Sequence, residues 1–137
     1  MDLHYQLNDE VFASQFEQLT LPPEWFTHEA HLRLAWIHLK RDGAAKACQN
    51  IPQQIKSFAQ HWGAPGKFNL TVTIAAIKAV QHFMQKSHSD QFQDFIAEFP
   101  RLKYNLKDLL GFHYSFDIFG TQTAKTRFLA PDLLPFD

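Results

Sequence analysis

The sequence predicts an all-α protein, a single-domain antiparallel helical bundle of about five to six helices. Three observations carry that expectation. Apolar residues recur at three- and four-residue intervals along most of the chain, the pattern of one buried helix face. Asparagine or threonine heads several of these stretches, and proline or glycine closes them. The connections are short, nothing repeats and no segment is of low complexity, which favours antiparallel neighbours in one domain.

The elements follow in order. Residues 8–18, NDEVFASQFEQ, open with Asn8 and Asp9 as caps and space Val11, Phe12, Phe16 and Leu19 at helical intervals. Leu21-Pro22-Pro23 then breaks the chain, and Thr27 caps a second helix running to Arg41, ended by Asp42-Gly43; a start near Glu24 stays open. A third helix covers 44–62, and Pro52 is expected to kink or split it, with Asn50 capping the second piece. Gly63-Ala64-Pro65-Gly66 is a strong breaker. In the stretch from about Asn69 to Lys86, Thr71, Val72 and Thr73 suit a strand, but Ile77, Val80, Phe83 and Met84 fit a helix better. A fifth helix covers 90–99 and stops at Pro100, a sixth covers 106–114 behind Asn105, and a short one at 123–129 precedes the tail APDLLPFD.

Composition narrows the classes of function. A chain of 137 residues with 45% hydrophobic and 20% charged residues is ordinary globular material. At this length folding buries roughly two thirds of the surface of the unfolded chain, so stability requires neither disulfide nor metal. The formal net charge is -1 with both signs scattered, which speaks against nucleic acid or an anionic membrane as partner. No run approaches the roughly 18 consecutive apolar residues of a membrane helix. The single cysteine, Cys48, reads as a small buried apolar residue, and MDLHYQLNDE has neither the basic nor the apolar part of a leader; a cytoplasmic location is the expectation. Fourteen phenylalanines predict a core or pocket wall built from rings.

The chemistry concentrates in FTHEAHLRLAW, residues 26–36. At about 100° per residue, His28, Leu32, Ala35 and Leu39 share one stripe, His31 and His38 flank it, and Arg33, Lys40 and Arg41 fall on the opposite, solvated side. His28 and His31 are thus expected to face inward, three residues apart, within reach of one ion. In the first turn the helix dipole favours neutral imidazole, the metal-binding form, although the same end could hold a phosphate or carboxylate. Glu29 lies off both stripes, free to meet the dipole or a neighbouring group. Hydrogen-bonded packing is an equally weighted reading of the pair, and the spacing lacks the H-E-x-x-H of zinc proteases. The partner segment is GAPGKFNLTVT, residues 63–73, where Asn69 and Thr73 share a stripe with Ala76 and Val80. Lys67, Asn69, Thr71 and Thr73 are candidate substrate-binding groups, joined by Tyr114 if its hydroxyl enters the pocket; a cap for Asn69 and a backbone bond for Thr73 are the plainer alternatives. His38 reads as a core histidine, and His61, His82 and His88 as surface ones.

FTHEAHLRLAW, GAPGKFNLTVT and the closing FLAPDLLPFD together resemble a family of small uncharacterised bacterial proteins carrying F-x-H-x-x-H-L-R-x-A-W and G-x-P-G-K-Y-H-x-T-x-T. The resemblance covers the chain from about Leu21 onward. It implies a shared architecture and a shared polar site, without naming a substrate. The family pattern has histidine where this chain has Asn69 and tyrosine where it has Phe68. A third histidine beside His28 and His31 would resemble a metal triad; asparagine is a much poorer ligand for zinc, iron or copper.

Two functional readings result. In the first, the protein is a small enzyme on a small polar metabolite, with His28 and His31 binding a divalent transition metal (zinc, iron or copper) or serving, with Glu29, in acid-base roles. In the second it is a non-catalytic ligand-binding or interaction module. A small-molecule ligand and a homo-oligomer are compatible with either.

Overall fold

A computed structural model describes residues 2–136, and every regular element among them is helical. The all-α class expected from the sequence is the class found. Eight α-helices are formed among the described residues: α1 (Asp9–Glu17), α2 (His28–Asp42), α3 (Ala44–His61), α4 (Leu70–Met84), α5 (Phe92–Glu98), α6 (Arg101–Tyr104), α7 (Leu106–Leu110) and α8 (Gln122–Thr126). Three single 3-10 turns accompany them, at Leu3–Gln6, Pro23–Trp25 and Pro65–Lys67. None of the helices is long and apolar enough to cross a membrane. The chain forms two compact units, one reaching Phe68 and one starting at Asn69.

In the N-terminal unit α1, α2 and α3 pack on one another, and the Pro65–Lys67 turn folds back on α3. Caps set the helix starts as the sequence suggests. The Asn8 side chain accepts from the Val11 N–H at 2.8 Å, and the Thr27 hydroxyl accepts from the Ala30 N–H at 3.2 Å. Gly43 has φ +84° and ψ 173°, a region essentially open to glycine alone, and so lets α2 end and α3 begin at one residue. Phe12, Phe16, Leu21, Leu34 and Ile51 are fully buried or nearly so.

Several expectations are corrected here. α3 runs unbroken through Pro52: the ring removes one hydrogen bond, while Ala47, Ile51 and Phe58 share one buried face and Pro52 is itself buried. Val11 is exposed, leaving Phe12, Ala13 and Phe16 as the buried face of α1. α2 is buried from Glu29 to Leu39 with the exception of His31, so the amphipathic picture fails. Arg33, expected in solvent, is 4% exposed, whereas His28 and His31, expected to face inward, are both exposed. Cys48 is half-buried.

In the C-terminal unit α4 packs on α7 and α8, and α6 packs on α7. Asn69 caps α4 by accepting from the Val72 N–H at 3.0 Å. Phe99 packs at a tilt against Phe83 and Phe95, with centroids 5.0 and 5.5 Å away. The stretch after Pro100 holds a one-turn helix, α6, that local patterning does not announce. The expected sixth helix stops at Leu110, and residues 111–113 form a turn. The tail returns to that turn through Leu133 N–H to His113 O, 3.0 Å, and Ser115 N–H to Asp132 Oδ1, 2.9 Å.

Candidate functional site

A cavity of about 280 Å³ lies within the N-terminal unit. Its first wall comes from the two prolines. They hold the chain in the Pro23–Trp25 turn, and Phe26 leaves it at φ -89°, ψ 68° before the extended Thr27 opens α2. This lays the Phe26 ring on the first turn of α2, 3.8 Å between centroids from His31, and against Phe16 at 4.3 Å and Phe58 at 5.3 Å. The second wall is the last two turns of α3, which supply Ile55 and Phe58, with Trp62 at its C-cap; the turn after it supplies Lys67 and Phe68. Apart from the indole N–H of Trp62, His31 and Lys67 carry the only polar side-chain groups lining the space among the described residues.

His31 is held in one tautomer. Its Nδ1 lies 2.9 Å from the Thr27 carbonyl, which can only accept, so Nδ1 carries the hydrogen and Nε2 the lone pair. Crowding by surrounding atoms pushes the imidazole down to about 4; the Thr27 bond opposes the shift and His28 adds slightly to it. The ring is exposed by area, so the depression arises in a concave aromatic wall that still admits solvent, not in a closed core. At neutral pH the ring is uncharged and Nε2 can accept a hydrogen bond.

A second polar group sits where the N-terminal turn meets α2. Arg33 spends its whole guanidinium there: Nε and Nη2 donate to Asp9 Oδ1 at 3.1 and 2.8 Å, Nη2 to Leu7 O at 2.8 Å, and Nη1 to His4 O at 2.7 Å. Its carbon also lies 4.8 Å from the Phe12 ring centroid. Nη1 is 3.2 Å from His4 Nδ1, which must therefore accept, and the ring hydrogen of His4 falls on Nε2. Burial lowers the His4 imidazole, and Arg33 lowers it further. Glu29 is buried and accepts from the Tyr5 hydroxyl, and Asp2 accepts from the Thr27 hydroxyl. Among the described residues, Asp2, His4 and Glu29 are the one group of three such side chains close enough to hold a metal ion.

The residues singled out from the sequence divide between the two units. His31 and Lys67 line the same cavity; His28 stands exposed on the α2 first turn, and Glu29 turns away to Tyr5. In the C-terminal unit the candidate binding groups meet backbone. Asn69 Nδ2 donates to Ile118 O at 2.8 Å, Thr71 Oγ1 donates to Arg127 O at 2.8 Å and accepts from Leu129 N–H at 3.1 Å, and Tyr114 donates to Leu129 O at 2.7 Å. Thr71, not Thr73, is the fully buried threonine; Thr73 is half-buried. Sequence reasoning missed the cavity walls Phe26, Phe58 and Trp62, for which the phenylalanine content was the only hint, and missed Asp2 and His4 entirely. The chain matches no known family model, no curated protein and no solved structure.

Proposed function

We propose that the N-terminal unit binds a small, flat, mainly apolar acid, its ring between Phe26, Phe58 and Trp62, its anionic group toward Lys67, and a donor group on His31 Nε2. The observation that carries this reading is the lining itself: rings on most sides and two polar heads of different kind, one cationic and one a neutral acceptor. Such a mix of apolar wall and few polar groups is the usual character of a small-molecule site, and the volume is at its lower end. An enzyme is a second reading favoured by the fixed tautomer. A neutral ring that already presents its lone pair can orient a bound hydroxyl or amine by accepting its hydrogen, while the depression to about 4 makes it a weaker base than an ordinary histidine.

Calorimetric titration with 2-naphthoate and its neutral isostere 2-naphthamide tests the binding reading. The acid is expected to bind about three- to fivefold more tightly, the modest gain an exposed lysine provides, and Lys67→Met should abolish the difference. Failure of both probes to bind, or equal binding of the two, contradicts it.

A further inference from the structure

We propose that Asp2, His4 and Glu29 form a site for a divalent transition metal, independent of the cavity at His31. One ligand atom from each lies within 4.8 Å of the others. His4 is fully buried, and its Nε2 has no hydrogen-bond partner although it lies 3.5 Å from Asp2 Oδ2. A buried ring nitrogen without a partner is costly unless something fills its direction. That spacing also suits an ion: bonds of about 2.0–2.2 Å at tetrahedral angles put neighbouring ligand atoms roughly 3.4 Å apart. The Glu29 carboxylate, buried and within 4.8 Å of the other two, completes the set.

The surrounding groups already orient the carboxylates. The Thr27 hydroxyl donates to Asp2 and the Tyr5 hydroxyl to Glu29, the outer bonds that fix metal ligands. One imidazole and two carboxylates suit zinc and its neighbours, and three protein ligands leave a fourth position for water on the side of Asp2, whose side chain is 32% exposed. Binding has one structural consequence. Nε2 must offer its lone pair, so the ring proton moves to Nδ1, and Arg33 Nη1 gives up its 3.2 Å contact there while keeping His4 O at 2.7 Å.

The test is calorimetric titration of the chelator-treated full chain with zinc, paired with long-range ¹H–¹⁵N spectra of the histidine rings. One equivalent should bind, and the His4 ring should switch from the Nε2–H to the Nδ1–H form. Asp2→Asn, which keeps an acceptor for Thr27, should retain the helical circular dichroism and bind zinc at least about tenfold more weakly. His28→Ala His31→Ala should still take one equivalent. No stoichiometric binding, a His4 ring that keeps its tautomer, or zinc lost in the His28/His31 variant but not in Asp2→Asn overturns the proposal.

Discussion

Arg33 shows how one side chain can organise an end of the chain. Its guanidinium reaches Asp9, Leu7 and His4 together, tying residues 24 to 29 positions away to the middle of α2. Arg33→Met keeps the apolar stem but takes one donor from the His4 carbonyl, which retains the Leu7 N–H at 3.1 Å, and breaks the ion pair with Asp9. We expect a loss of roughly 2–4 kcal/mol in urea unfolding. Arg33→Lys should restore little of it, since an ammonium cannot reproduce the planar fork. His38 is the opposite case, a buried imidazole on α2 with neither ring nitrogen hydrogen-bonded. Burial lowers it below 6.5, Arg41 adds to the shift, and Asp42 and Glu17 oppose it. Because the unfolded chain takes up this proton first, stability is full above pH 6.5 and falls as pH drops through the window beneath it. His38→Leu should flatten that acid-side decline, as read from denaturation midpoints at several pH values; an unchanged slope would contradict the assignment.

At the scale of elements, helix starts are written locally and side-chain destinations are not. Asn8, Thr27 and Asn69 cap where the sequence places them, since a cap needs only a short polar side chain and the next turn. The face of α2 was misread for a physical reason. Periodicity assumes one wet side, and a helix buried nearly all round has none, so Arg33 reads as solvated and His31 as buried when the reverse holds. Likewise Pro52 forecasts a kink or a split, and α3 is one continuous helix through it. Asn69 supports more than its cap, because Nδ2 also holds the Ile118 carbonyl. Asn69→Asp should keep the cap and lose that second bond, while Asn69→Ala loses both; we expect Ala to cost about 1–2 kcal/mol, and Asp to cost less, in thermal unfolding.

For the whole molecule, composition and hydropathy were sufficient for the all-α class, because the longer of the eight helices among the described residues follow from spacing and breakers, while the one-turn α6 does not. The candidate site was legible only in part. His31 and Lys67 could be named from their motifs, but the rings beside them come from the turn before α2 and the end of α3, distant in sequence, and no local pattern pairs them. Asp2 and His4 were invisible for the same reason, their environment being set by α2. The central claim is that His31 and Lys67 sit in one ligand-accepting cavity with Trp62. The most direct measurement is a ¹H–¹⁵N titration with 2-naphthoate, following the Trp62 indole N–H and the His31 ring nitrogens. Saturable shifts at both, with Lys67→Met weakening them, are the predicted result. Shifts absent from these two residues, or displaced to the C-terminal unit, would contradict the account.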